Sequence, residues 1–410
     1  MTTLNIMNKE NITSKLITSL LDTTNLSKDT VSILNTFDKI IQGVRPLNSR
    51  QLQQLPEHIR NLSHQLTDDR ASRRLGYMND NIQLSSYVRY YTWWNLVRLT
   101  RLFANLPDSV FPTDDTICLD LGSGPLTVVT ALWLARPELR KLRLTWYCLD
   151  VSANSMALGE DIYLSVAAKA KAADPSIEPW NIIRVKGPFG TPIKQKAGFL
   201  TCANMFNELD QASDMPPEFQ TKKYYEQLQR YCEKDAGIIL VEPGVPKAAR
   251  TLSLLRTRYI KDSRNIAAPC PHAGDCPMSG FKAYTGSKNK WCNFAFSTED
   301  APARLQKLSV AAKLPKERAT LSFMAVARVD GPKTSGIRIT SDKLRLPNYM
   351  CGYYGCSQFG LVLVTLPDEN NTRLPKPPFR PQSGDLISVK TKTPDSLPKD
   401  EKSGALIVKL

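Results

Sequence analysis

Three cysteines, Cys270, Cys276 and Cys292, fall within the stretch APCPHAGDCPMSGFKAYTGSKNKWCNFAF. Two of them are followed directly by proline, and the glycine- and proline-rich run between them has neither a helical nor a strand period. Clustered thiolates can fold such a segment around a soft metal, because ion binding offsets the entropy lost on ordering it. A fourth donor is available from Cys351 or Cys356 in YMCGYYGCSQ. The paired Cys-x-x-Cys hooks of zinc ribbons are absent, while cysteine followed by proline occurs in some iron–sulfur ligand runs; ligand type alone leaves zinc open. His272 is expected behind the ligands as an orienting group, since four cysteines complete the usual set. Cys118, Cys148, Cys202 and Cys232 sit in apolar runs and read as buried, inert thiols.

A second chemical signal is CLDLGSGPLTVVTALWLA, an apolar strand, a glycine turn and a helix. Gly122 and Gly124 let the backbone turn sharply and approach a ligand, and the following helix offers amide donors at its N-terminus. Asp120 precedes the first glycine, and Asp150 ends the next strand, where an acceptor-only carboxylate suits a ribose diol. Asn204, Asn207 and Glu208 in ANMFNEL, and Glu242 in VEPG, add polar groups to the same carboxyl edge. The cofactor-binding set expected is Asp120, Gly122, Gly124, Asp150 and Asn204; Asn207, Glu208 and Glu242 are the catalytic candidates. Thr127 stands where a dinucleotide fingerprint needs glycine or alanine, which disfavours NAD. The arrangement resembles class I S-adenosylmethionine-dependent methyltransferases. NMFNE lacks the Pro-Pro-aromatic signature of their amino-group members, and nothing around Cys202 suggests an activated thiolate.

These residues need a scaffold, and the apolar periodicity supplies one. Residues 1–105 read as a helical region without strand alternation; its clearest piece, YVRYYTWWNLVRLTRLFANL, is expected to pack on the next domain with Arg89, Arg98 and Arg101 snorkelling. Residues 106–250 alternate short apolar runs with helical stretches, the pattern of a parallel sheet. The fold class is therefore α/β, a doubly wound seven-stranded sheet of the class I methyltransferase type. Its strands are TICLDLG, RLTWYCLD, NIIRVKG, AGFLTCANMF, AGIILVEPG, ATLSFMAVARV and FGLVLVTL. Residues 251–300 form a cysteine-rich metal-binding insertion, 301–370 complete the sheet and carry the fourth cysteine, and 371–410 read as an extended proline/lysine-rich tail.

Lysine and arginine number 54 against 39 acidic residues, a formal charge of +15, which favours a polyanion as partner. The insertion is itself basic, with Arg256, Arg258, Lys261, Arg264, Lys282, Lys288 and Lys290 against Asp262 and Asp275, and is a candidate RNA contact. No apolar run approaches the ~20 residues of a membrane span, and the N-terminus lacks a secretory core, so a soluble cytoplasmic monomer is expected.

DLGSGPLT, FNEL, LVEPGVPKAAR, APCPHAGDCP, WCNF and GDLI, in this order, resemble the methyltransferase-like assembly factors of the mitochondrial small ribosomal subunit and their bacterial homologues. The likeness spans residues 75–390. It implies S-adenosyl-L-methionine as cofactor, a 4Fe-4S cluster on Cys270, Cys276, Cys292 and Cys351 (Cys356 as the alternative, zinc as the alternative metal), and action on small-subunit ribosomal RNA or an assembly intermediate. Two readings follow: an RNA methyltransferase, and a non-catalytic assembly factor that keeps the cofactor fold without turnover.

Overall fold

The computed structural model describes residues 14–67, 77–209, 215–282, 289–329, 335–371, 373–389 and 396–410. The N-terminal region begins with a strand, β1 (Lys15–Ser19), which the helical reading of residues 1–105 does not contain. Helices α1 (Lys28–Asn35), α2 (Phe37–Val44), α3 (Ser49–Thr67), α4 (Asn81–Tyr87) and α5 (Trp93–Phe103) follow. Ser27 caps α1 by accepting from the Thr30 amide, and Asp80 caps α4 by accepting from the Ile82 and Gln83 amides. A π turn over Val88–Thr92 joins α4 to α5. Helix α5 is buried around almost its whole circumference. Trp93 Nε1 donates to the Leu34 carbonyl and Trp94 Nε1 to Ser309 Oγ. The arginines turn inward instead of snorkelling: Arg89 donates to Gln42 and to the Arg45 carbonyl, and Arg101 pairs with Asp300 over the Phe296 ring. This aromatic stretch is a packing element.

The first sheet contains β2 (Ile117–Leu121), β3 (Thr145–Asp150), β4 (Asn181–Lys186), β5 (Ala197–Ala203), β6 (Cys232–Glu242), β7 (Ile266–Ala268), β8 (Phe294–Ser297) and β9 (Arg318–Val326). Their order is β4-β3-β2-β5-β6-β9-β7, with β8 also on β9. Strands β2 to β6 are parallel, and β9 runs antiparallel between β6 and β7. The chain reverses direction of travel between β2 and β5, the switch point at which open sheets bind ligands. Side chains alternate along β2: Cys118 enters the layer of α5, α6 (Thr127–Ala135) and α7 (Ala153–Ala173). Leu119 and Leu121 enter the opposite layer, which lies beyond α8 (Phe206–Leu209) under α9 (Pro217–Tyr231) and α10 (Pro246–Lys261). Helix α11 (Ala303–Ala311) leads into β9.

A second sheet has its own core. It contains β10 (Ile337–Ile339), β11 (Leu344–Leu346), β12 (Met350–Ser357), β13 (Gly360–Pro367), β14 (Asp385–Ser388) and β15 (Leu406–Lys409), in the order β1-β14-β10-β12-β13-β15 with β11 on β12. Three sequence expectations change here. FGLVLVTL is β13 of this second sheet, because it pairs as an antiparallel hairpin with β12; the edge of the first sheet is taken by the three-residue β7. Residues 337–367 thus build a new sheet instead of completing the first. The tail is not simply extended: β14 pairs with β1 and β10, and β15 lies parallel to β13.

The glycine turn is held by close packing. A Cβ on Gly159 of α7 would lie 2.2 Å from the Pro125 carbonyl carbon, whereas one on Gly43 of α2 meets nothing within 4 Å. We expect Gly159→Ala to destabilise the protein by about 1–3 kcal/mol through overpacking. Gly43→Ala should stabilise it by about 0.5–1 kcal/mol by helix propensity. Denaturant unfolding of the two variants checks both signs.

Candidate functional site

At the carboxyl edge of the first sheet the backbone takes three left-handed residues in five, Gly122 at φ 65°, Gly124 at 49° and Leu126 at 51°. The turn amides are not left over for a ligand: Gly122 and Ser123 donate to the Leu149 carbonyl, Gly124 to Asp150 Oδ2 at 2.9 Å, and Leu126 to the Ser123 carbonyl. Asp150 also accepts from the Ser152 amide at 2.8 Å, so both carboxylate oxygens brace the turn. Asp120 is fully buried; Oδ1 accepts from Thr201 Oγ1 at 2.7 Å, while Oδ2 has no partner among the described residues. Burial pushes its pKa up to about 7, against the pull of Thr201 and Ser123.

Residues that the sequence reading did not single out close this edge. A Cβ on Gly122 would come within 3.1 Å of Met205 Cβ, and one on Gly124 within 3.7 Å of Met78 Cε. Asn79 Oδ1 accepts from Ser152 Oγ at 2.9 Å, so the segment before α4 is fastened over the turn. No periodicity announces Met78, whose contact follows from where α4 begins. Asn204, left-handed at φ 62°, accepts from Arg98 Nη2 at 3.1 Å. Arg98 is buried, and burial lowers its pKa to about 10 while the Glu242 charge draws it back up. Glu242 lies fully buried at the end of β6, where Oε1 and Oε2 accept the amides of Phe206 and Asn207 at 2.9 and 3.0 Å. It caps the short helix α8, so of the three catalytic candidates it is a structural acceptor, Asn207 contributes its amide to that cap, and Glu208 is exposed. Burial and the charges of Glu208 and Asp150 raise the Tyr87 pKa above the usual tyrosine range.

The cysteine segment between β7 and β8 forms a cavity of about 40 Å³, whose lining includes Cys270, Cys276, Cys292 and Cys356, with Arg256 and Arg338. The fourth cysteine here is Cys356. Cys351 lies in the core of the second sheet with Ile339, Val364 and Leu366. The two stand five residues apart on β12, an odd spacing that sends them to opposite faces. Arg256 Nε donates to Cys270 Sγ at 3.1 Å, and its Nη2 to the carbonyls of His272 and Gly274 at 2.8 and 2.9 Å. Arg338 Nε donates to the Pro269 carbonyl at 3.0 Å and Nη1 to that of Gly384 at 2.7 Å. His272 Nε2 is 2.9 Å from Cys356 Sγ, and its Nδ1 is buried without a partner among the described residues. Burial and mutual charge push the Cys292 and Cys356 thiols well above their ordinary range. Four thiols facing two buried guanidinium groups are a donor set suited to a soft, charged centre. Among the described residues, no three histidine, cysteine or acidic side chains converge closely enough to hold a metal ion as they stand.

The basic residues of the insertion do not form one solvated rim. Arg256 faces Cys270, Arg264 donates to the carbonyls of Lys234, Ala236 and Ala327, and Lys290 Nζ lies 3.9 Å from the centroid of Tyr354. Lys288 lies outside the described residues.

The family model described as "Mitochondrial small ribosomal subunit Rsm22" matches residues 98–343. Comparison with curated proteins finds no significant match. Similar solved structures include a precorrin-6y C5,15-methyltransferase of Geobacter metallireducens, at 11% identity over 56% of this chain and 87% of that one, TM-score 0.30. A SAM-dependent methyltransferase of Geobacter sulfurreducens in complex with S-adenosyl-L-homocysteine matches at 13% over 56% and 89%, TM-score 0.31. An Aeropyrum pernix fibrillarin with natively bound S-adenosyl-L-methionine matches at 12% over 43% and 69%, TM-score 0.26. At these scores the likenesses add nothing to the strand order already described. Among the described residues, no helix is long and apolar enough to cross a membrane.

The buried Asp120 makes a pH-dependent prediction. Its folded pKa of about 7 lies above the unfolded value of about 3.9, so between those pH values the folded protein keeps a proton that the unfolded chain releases. Stability from this group therefore falls as pH rises from about 4 to about 7. We expect Asp120→Asn to gain on wild type across that window, by at most about 1.4 kcal/mol per pH unit. Paired denaturant titrations at several pH values test this, and a pH-independent difference contradicts it.

Proposed function

The chain belongs to the family described as mitochondrial small ribosomal subunit Rsm22, and from that premise we infer that it is a methyltransferase-like factor of small ribosomal subunit assembly. It binds the subunit's ribosomal RNA or an assembly intermediate, as a monomer, wherever those subunits are built; the +15 charge supports a polyanionic partner. S-adenosyl-L-methionine, which supplies a sulfonium methyl group when bound, suits the acceptors at the strand ends. Asp120 offers a buried oxygen unpartnered among the described residues, and Asp150 and Asn204 stand at the ends of neighbouring segments of the same sheet edge. Admission requires Met78 and Asn79 to leave the turn.

The observation that carries binding without turnover is Glu242. Both of its oxygens accept backbone amides beside the place where a base would be needed. The orphaned Asp120 oxygen favours the second reading, a methyltransferase that opens on its particle. Cys270, Cys276, Cys292 and Cys356 would hold a 4Fe-4S cluster, which supplies a rigid, redox-capable cross-link when bound. Four thiols on one cavity with two buried arginines support it, and zinc is the alternative.

Calorimetry should find S-adenosylmethionine binding to the wild type, and tighter binding to Met78→Ala; no binding to either removes the cofactor from this reading. With immature small subunits we expect association without methyl incorporation. Stoichiometric labelling of the RNA would establish the enzyme instead.

Anaerobically purified protein should be brown, with its charge-transfer absorption lost in Cys356→Ser and kept in Cys351→Ser. Stoichiometric zinc without iron or sulfide would replace the cluster by the zinc site.

A further inference from the structure

The turn between β11 and β12 holds a strained, exposed aromatic residue. Tyr349 is 70% exposed and left-handed at φ 54°, next to Asn348 at φ 58°. Left-handed backbone is unfavourable for a bulky residue, and such strain persists only where the surroundings impose it. Here they do. The Tyr349 carbonyl accepts the Asp368 amide at 2.9 Å and Asn371 Nδ2 at 3.2 Å, and the Met350 amide closes on the Pro347 carbonyl at 3.2 Å. Asn371 Oδ1 in turn accepts the amides of Arg373 and Leu374 at 3.0 and 3.2 Å, so the loop after β13 is clamped against the turn. The ring itself is left standing in solvent on a rigid base.

Its surroundings are cationic. Between residues 343 and 380 the charged residues are Lys343, Arg345, Arg373, Lys376 and Arg380 against Asp368 and Glu369. Among the described residues, the ion pairs of Asp368 and Glu369 engage Lys343 and Arg380. Arg345, one strand pair from the turn, is exposed, as are Arg373 and Lys376. A fixed aromatic face on a turn whose nearby Arg345 and Arg373 carry no ion pair among the described residues matches a nucleobase with its neighbouring phosphates, since every base has a π face and the backbone repeats its charge. An apolar protein partner would meet cations around a lone ring.

We propose that the β11–β12 turn is a single-stranded RNA site, in which Tyr349 stacks on an unpaired base and Arg345 and Arg373 hold the adjoining phosphates. It rests on the reading that the partner is ribosomal RNA, and locates one contact in the second sheet.

The test uses the full chain and an unstructured, fluorescent pyrimidine RNA of about twelve nucleotides. Tyr349→Gly should weaken binding about tenfold with the salt slope unchanged, while the thermal midpoint stays the same or rises, because glycine accepts the left-handed backbone. Tyr349→Trp should bind within about twofold of wild type, as stacking tolerates the larger ring. Arg345→Ala with Arg373→Ala should lower the magnitude of the salt slope by about one to two. If the wild type binds and Tyr349→Gly binds equally well, the site is overturned while the RNA reading stands. If the wild type binds neither this RNA nor small-subunit ribosomal RNA, the RNA reading falls and the site with it. Loss of small-subunit capture with unchanged RNA affinity would make the turn a protein-docking surface and overturn the proposal.

Discussion

Two buried guanidinium groups hold this molecule together where it has least regular structure. Burying a charge without partners costs several kcal/mol, so Arg256 and Arg338 require the polar groups that surround them. Those groups are carbonyls of the cysteine segment and of the loop before β14, together with a cysteine sulfur. Arg256 projects from α10 of the first sheet's layer and Arg338 from β10 of the second sheet. The irregular run from Pro269 to Gly274 is therefore defined by cations presented from two separately cored sheets. Burial lowers the Arg338 pKa to about 10, which still leaves it charged at neutral pH. The cavity with its four cysteines sits where these constraints meet, and Cys356 reaches it because β12 passes that junction.

The ligand edge of the first sheet obeys a different constraint. Its turn is braced internally, with Asp150 spending both oxygens on backbone amides and Asn204 fixed by Arg98. Such bracing makes the turn stiff and at the same time covers it, since Met78 and Met205 pack where the glycines leave room. Asp120, buried beneath, keeps one oxygen without a hydrogen-bond partner among the described residues. Glu242 spends both oxygens in the same way, on the amides of Phe206 and Asn207, so it too serves the scaffold.

Much of this was legible in residue types and spacing. Strands β2, β3, β5, β6 and β9 are apolar and mostly buried, and periodicity finds them because a sheet covered on both faces demands such runs; the edge strand β4 is marked by the repeated spacing of strand and helix. The second sheet was hidden because β1, β14 and β15 are four or five residues long and take their hydrogen bonds from distant segments, β1 from the far end of the chain and β14 and β15 from strands well before them. FGLVLVTL shows the limit most clearly, as its pattern predicts a strand and says nothing of which sheet it joins. The spacing of Cys270, Cys276 and Cys292 marks them as a group, and alternation in YMCGYYGCSQ puts Cys351 and Cys356 on opposite faces; which of them meets the cavity is decided by the packing of β12, which brings Cys356 where Cys351 was expected. The inward turn of Arg256 had no such signal. In the sequence it is one basic residue among seven, and only the packing of α10 against the cysteine segment shows where it points.

The central claim is that the cysteine segment and the second sheet form one cooperative unit, tied through the four-cysteine junction. Hydrogen exchange measured by mass spectrometry, on wild type and on a folded Cys270→Ser variant, tests it most directly. The account predicts that the substitution deprotects residues 266–282 and 350–357 together, while residues 117–150 of the first sheet keep their protection. Loss confined to the cysteine segment, with 350–357 unchanged, would contradict it.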